Sequence, residues 1–213
     1  MTTATKTKAK AAPAPKAKAK GHVPMQPMTR GVHHLALNTD DMKKTIDFYV
    51  DVLGMPLVHA LKVPAGLGTG PLNRGNPPYE NLRHYFFDMG NDSLLAFFEI
   101  PKGKEPEGNR NAIAAMQHVS FAITEARFEA IREKLEGLGI EYLGPMEVLP
   151  GVFSMYFFDP NNIRLELSCQ PADGAAPKVV RGCTQNAEAM RKELLTLTDD
   201  RVWIEQRVAE LGE

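Results

Sequence analysis

Cysteine is scarce in this chain. Cys169 and Cys183 are the only two among 213 residues, too few for a zinc-type cluster or a disulfide framework. No apolar run approaches the roughly 20 residues that a membrane-spanning helix needs, and no secretory leader is recognisable. These absences predict a cytoplasmic protein without a membrane partner. Acidic residues are missing from residues 1–21, where six lysines stand among Ala, Thr and Pro. Residues 1–28 are therefore expected to be a disordered tail. It lacks the arginine and serine of a transit peptide and is expected to be a solubilising appendage rather than a nucleic-acid arm. Setting those six lysines aside leaves 19 basic residues against 26 acidic ones, so the remainder is mildly acidic and not built for nucleic acid. The stretch Pro64 to Asn81 is rich in glycine and proline but lacks the strand–helix setting of a phosphate loop, which excludes that mode of nucleotide binding. Long loops of this kind often cover a functional site.

What is present is an internal repeat. Shifting the chain by about 84 residues lays His34-Leu-Ala-Leu over His118-Val-Ser-Phe. Leu53-Gly54-Met55 matches Leu138-Gly139-Ile140, and Tyr85-Phe-Phe-Asp88 recurs as Tyr156-Phe-Phe-Asp159. Each His segment alternates as a strand does, with His34, Ala36 and Asn38 on one face and Leu35 and Leu37 on the other. The same split sets His118, Ser120 and Ala122 against Val119, Phe121 and Ile123, and Arg164, Glu166 and Ser168 against three aliphatics. A helix follows each His strand, capped by Asp40 or Asp41 in the first copy and by Thr124 in the second. Gly54 and Gly139 fit the helix C-terminal position, where a left-handed conformation is cheap for glycine. Strand-like runs follow near 56–63, 83–89 and 93–100, then near 141–148, 152–158 and 162–168. The predicted unit is βαβββ, twice, in modules of about 31–100 and 115–170 within a domain spanning 29–170. Beyond it, residues 171–213 are expected to hold a linker, Pro171 to Pro177, and helices near 185–195 and 199–211. The last of these carries an apolar stripe of Ile204, Val208 and Leu211, suited either to folding back on the domain or to a dimer contact.

The phrases His34-Leu-Ala-Leu-Asn-Thr-Asp-Asp, Phe48-Tyr49-Val-Asp-Val-Leu-Gly-Met and Phe158-Asp-Pro-Asn-Asn-Ile-Arg-Leu-Glu166-Leu resemble the vicinal oxygen chelate superfamily. That group includes glyoxalase I, extradiol dioxygenases and fosfomycin- and bleomycin-resistance proteins. The resemblance covers about residues 31–170. It implies an α+β fold in which two βαβββ modules form a cup-shaped mixed sheet with helices outside. It also implies a divalent metal held by the first strand of each module and by a last strand. Those positions are His34, His118 and Glu166 here. Members of this family are commonly homodimers, and a homodimer is expected.

Aligning the repeated Tyr-Phe-Phe-Asp, with one extra residue in the first copy, places Ala96 over Glu166. Four-ligand glyoxalase-type members supply a glutamate at that point. Alanine has no donor atom, so an open three-ligand centre is expected. Glu99 reaches the metal only if a bulge or a longer turn shifts the strand, since parity places it on the opposite face. Two imidazoles and one carboxylate suit non-haem Fe(II), leaving neighbouring positions for vicinal oxygens of a small-molecule substrate and for dioxygen. Mn(II), Zn(II), Co(II) and Ni(II) fit the same donors. The expected activity is thus that of an extradiol-type dioxygenase, the alternatives being a glyoxalase-type lyase or isomerase and a metal-free drug-binding protein. His84, set against Met155 by the same alignment, and Tyr156 are candidate proton-transfer residues. Arg164, on the face of Glu166, is placed to orient that carboxylate, to meet an anionic substrate, or to lie at the rim.

Overall fold

A computed structural model of the chain describes residues 27–171 and 178–211. The expected tail and the Pro171–Pro177 linker lie almost wholly outside the described residues. The first module runs β1 (His34–Thr39), α1 (Met42–Asp47), β2 (Leu57–Lys62), β3 (Arg83–Gly90) and β4 (Ser93–Glu99). The second runs β5 (Val119–Ile123), α2 (Glu125–Gly137), β6 (Tyr142–Leu149), β7 (Val152–Phe158) and β8 (Arg164–Cys169). Each forms one four-stranded sheet, in the order β1-β4-β3-β2 and β5-β8-β7-β6. The first strand pairs in parallel with the last, and the others pair antiparallel. A parallel pair needs a long crossover, and the helix in each copy lies within it. The α+β, twice-repeated βαβββ architecture expected from the sequence is the one observed.

Local chemistry explains the boundaries. Of the two aspartates, Asp41 caps α1, accepting from the Lys44 amide at 3.1 Å. The Thr124 hydroxyl accepts from the Arg127 amide at the start of α2. After α1 the chain makes one wider π-type turn over Phe48–Val52 and stops at Gly54, whose φ of +69° is the left-handed value expected there. Gly139 ends the second copy in the same way, with φ +67°.

One face of each sheet feeds a single core. Phe87, Leu95 and Phe97 from the first module and Met155, Phe157, Leu165 and Leu167 from the second join Tyr49, Phe48, Phe128 and Leu135 of the two helical segments. Burying side chains of this size stabilises by roughly 1.5–3 kcal/mol each, so this shared core is the main force holding the modules together. A buried polar network adds direction. Asp159, 5% exposed, accepts from the Tyr49 hydroxyl at 3.0 Å, from the amides of Asn161 and Ile163 at 2.8 Å each, and from the Asn161 side chain at 3.0 Å. Asn161 in turn accepts from Thr39 at 2.6 Å. Burial raises the Asp159 pKa above the usual carboxylate range even though all four donors lower it.

After β8 and a short helix α3 (Val179–Cys183), residues from Gln185 form a separate compact unit. It contains α4 (Ala187–Leu197) and α5 (Arg201–Ala209), capped by Asn186 and Asp200. Arg191 grips Glu205 with two hydrogen bonds of 2.7 and 3.0 Å across the helix pair. Ile204 and Val208 of the expected stripe are buried.

Candidate metal centre

The face of each sheet turned away from the core carries the candidate residues, as alternation predicts. In the second module, Glu166 pairs across the sheet with Ser120 on β5 and Tyr156 on β7. Glu166 is 6% exposed and its carboxylate is well supplied with donors. Tyr156 donates to Oε1 at 2.7 Å, and His118 Nε2 stands 2.9 Å from Oε2. Burial pushes the Glu166 pKa up, but the hydroxyls of Ser154, Tyr156 and Ser120 and the neighbouring His118 outweigh it, and the net shift is downward. Glu166 is therefore held as a carboxylate at neutral pH. The side-chain oxygen of Gln117 contacts His118 Nδ1, which fixes the ring and leaves Nε2 toward Glu166.

At 2.9 Å the two side chains are in ion-pair contact, and the same spacing is compatible with two ligands of one metal. Two ligands about 2.1 Å from one ion at right angles stand ~3.0 Å apart, and His118 and Glu166 are separated by 2.9 Å. The third candidate is elsewhere. His34 lies exposed at the start of β1, with its Nδ1 2.9 Å from that of His33 and its ring edge-on to Phe86 at 6.2 Å. Among the described residues, no three His, Cys, Asp or Glu side chains converge as metal ligands. The structure brings His118 and Glu166 together and leaves His34 on the other module.

Register settles the place of the fourth candidate. Ala96 pairs with Ala36 on β1 and Phe86 on β3, the row that in the second module reads Ser120, Glu166, Tyr156. Ala96 is thus the counterpart of Glu166. Glu99 pairs with Thr39 on the core side of β4; its carboxylate accepts from the Met42 amide at 3.0 Å and binds Arg83. It serves the N-terminus of α1, where negative charge is favoured.

One part of the sequence alignment is corrected. Ten residues separate Phe86 from Ala96 and Tyr156 from Glu166, so the first copy has no extra residue there. The letter-for-letter Tyr-Phe-Phe-Asp repeat is instead out of register by one. Tyr85 takes the place of Met155 and packs toward the core, while Phe86 takes that of Tyr156. His84 then corresponds to Ser154, not Met155. A one-residue slip exchanges the faces of a strand, which letter identity does not reveal.

His84 shares the outward face with His34. Its ring stacks on Phe98 at 3.7 Å and lies 4.3 Å from Phe86. Its Nε2 is buried and has no partner among the described residues. Burial first, then the charges of His34 and His59, push its pKa down to about 4, so its imidazole is neutral at pH 7. His59, on β2 beside Phe86, escaped the sequence analysis because β2 shows no clear alternation. The Pro64–Asn81 loop is tied by its own bonds: Gly66 and Thr69 donate to Glu80, and Asn73 donates to two carbonyls. Leu67 and Tyr79 pack it against Val63, Leu82 and Phe98, and its residues 75–79 line a cleft of about 1030 Å³ with Asn38 and Arg164.

A family model described as "Glyoxalase/Bleomycin resistance protein/Dioxygenase superfamily" matches residues 31–167. Among solved structures, a glyoxalase/dioxygenase from Nostoc punctiforme is 27% identical, with a TM-score of 0.48 over 67% of this chain and 92% of that one. The fosfomycin resistance protein FosX from Mesorhizobium loti is 23% identical, TM-score 0.44, over 72% and 98% of the two chains. A FosX variant from Listeria monocytogenes, complexed with Mn(II) and 1S,2S-dihydroxypropylphosphonic acid, is 20% identical, TM-score 0.45, again over 72% and 98%.

Proposed function

The chain belongs to the Glyoxalase/Bleomycin resistance protein/Dioxygenase superfamily, and from that premise we propose that it is a metal-dependent enzyme, an extradiol-type dioxygenase using Fe(II). The observation that carries this reading is the His118–Glu166 pair, spaced as neighbouring ligands of one ion and oriented by Gln117 and Tyr156. Its substrate is a small molecule with vicinal oxygens, such as a catechol. When bound, the metal supplies Lewis acidity and one-electron chemistry toward those oxygens.

The third ligand is His34 of a second copy, so the working form is a homodimer. Both candidate faces turn away from the shared core, and each module alone holds an incomplete set. A two-fold pairing that sets the first module of one chain against the second module of another completes two identical sites at once. The residues of this chain then divide the work. His118 and Glu166 hold the ion on one wall, with Tyr156 as a positioning residue that fixes the carboxylate. On the facing wall, Phe86 and Phe98 exclude water and pack an aromatic ring. His84, a neutral imidazole stacked on Phe98, is the proton-transfer group of this wall. Ala96 at the Glu166-equivalent place, with Glu99 committed to α1, favours this open centre over a four-ligand lyase.

Elemental analysis of anaerobically purified protein, followed by oxygen uptake on a catechol panel, tests the reading. Near-stoichiometric iron, lost in His118→Ala, and oxygen uptake are expected. Absence of bound metal, or metal content unchanged by His118→Ala, would sink it. Mixing His34→Ala and His118→Ala proteins, each expected to be metal-free, checks the shared site. Random exchange of subunits rebuilds one intact site in each mixed dimer, about a quarter of all sites. No recovery of metal binding would mean that the ligands do not come from two copies.

A further inference from the structure

Among the described residues, two guanidinium groups on the outward face of the second module have no carboxylate partner. Arg164 stands two residues before Glu166 on β8, its Cζ 4.5 Å from the centre of the Tyr156 ring. Arg110, from the segment joining the modules, lies 4.8 Å over Phe158. Phe158 pairs with Arg164 across β7 and β8, so both rings and both cations form one patch. Among the described residues neither is ion-paired. Arg164 donates only a long 3.5 Å bond to Gln117, and Arg110 donates to the Asn162 carbonyl at 3.3 Å. Arg83, Arg132, Arg191 and Arg207 each hold a carboxylate; what sets Arg110 and Arg164 apart from the other unpaired arginines is that each lies over an aromatic ring of one sheet face. Arg110 and Arg164 also line a cavity of about 550 Å³ together with Gln117, Tyr142, Leu143 and Tyr156. Glu141 shares its rim but is exposed and paired with neither arginine.

Gln117 connects this cavity to the candidate metal centre, since the oxygen that accepts from Arg164 also contacts His118. Tyr156 floors Arg164 on one side and holds Glu166 on the other. A planar guanidinium presents paired donors that match a carboxylate, and a ring beneath it limits the geometries it can adopt. We propose that Arg110 and Arg164 bind a carboxylate group of the substrate, so that the enzyme acts on an acidic ring compound rather than a neutral diol. The inference deepens the proposed function and rests on it for the identity of the neighbouring centre.

Calorimetric titration of the full chain, metal-free and with Mn(II), tests this with 3,4-dihydroxybenzoate and its neutral counterpart 3,4-dihydroxybenzamide. The acid should bind about tenfold tighter than the amide, and the preference should shrink with added salt. Arg164→Gln and Arg110→Gln should each erode the preference, and the double variant should abolish it, with Mn(II) stoichiometry and thermal midpoint at wild-type values. Arg164→Lys, which keeps the charge but not the fork, should retain part of it. Equal affinity for acid and amide, no binding of the acid, or a preference that survives the double substitution overturns the inference. An arginine-dependent acid preference in a protein that takes up no Mn(II) supports the anion subsite and overturns the metal centre instead. Mn(II) binding without the preference does the reverse.

Discussion

The two modules share a backbone plan and differ in what they display. Across the outward face of the second runs the row Ser120, Glu166, Tyr156, Leu143. The same row in the first reads Ala36, Ala96, Phe86, His59. One wall surrounds a buried carboxylate with donors. The other replaces acid and donors by apolar groups and places His84 one row further along, where the second module has Ser154. The two central core-facing rows are hydrophobic in both, Leu35-Leu95-Phe87 and Leu37-Phe97-Tyr85 against Val119-Leu165-Phe157 and Phe121-Leu167-Met155. The two copies thus share a packing code, while their outward faces differ as a carboxylate-bearing wall and an aromatic one.

The strongest way to break this comparison is to remove the acid from the wall that has it. Glu166→Ala should lower metal affinity by at least about 100-fold, measured by competition with a fluorescent chelator. The next is to install it on the wall that lacks it. Ala96 is fully buried and has no hydroxyl neighbour like Tyr156, so Ala96→Glu should cost about 3 kcal/mol in urea unfolding. Adding Phe86→Tyr should return about 1 kcal/mol by supplying the missing donor; no recovery would mean that the rows are not equivalent. Tyr156→Phe should weaken metal binding by about tenfold, whereas Phe86→Tyr alone leaves it unchanged. The smallest effect concerns His84. Its native pKa of about 4 lies below the usual 6.5, so between those values the unfolded chain binds a proton that the native state does not. Stability should therefore fall as pH drops from 6.5 toward 4. His84→Phe should flatten that slope when urea midpoints are compared at pH 7, 6 and 5.

The fold was legible because it rests on patterns that sequence carries directly: alternation, caps and glycine stops. Asp41, Thr124, Gly54 and Gly139 sit where their chemistry predicts. The pairing of Ala96 with the Glu166 position was also legible, although through an alignment whose inserted residue does not exist. What the sequence concealed depends on contacts between segments. The neighbours of His118 follow from Gln117, Tyr156 and Glu166 meeting across three segments, and the separation of His34 follows from which faces enter the core. Neither has a local periodicity to betray it. His59 was hidden because β2 is exposed along most of its length, and no apolar rhythm marks its faces.

The Asp159 network bears on how the molecule breathes. Its carboxylate collects donors from the turn before β8 and from Tyr49 in the other module. Opening the first module takes the Tyr49 hydroxyl from Asp159, and opening the second leaves that hydroxyl without its acceptor, so either excursion alone costs about 1–3 kcal/mol. The lowest excursion that frees the slowest amides of β1 is then the one that frees those of β8. In native-state hydrogen exchange the two strands should report one common opening free energy, as a single foldon. Asp159→Ala should lower that energy equally in both. The repeat that divides the chain into halves on paper therefore yields, in motion, one indivisible body.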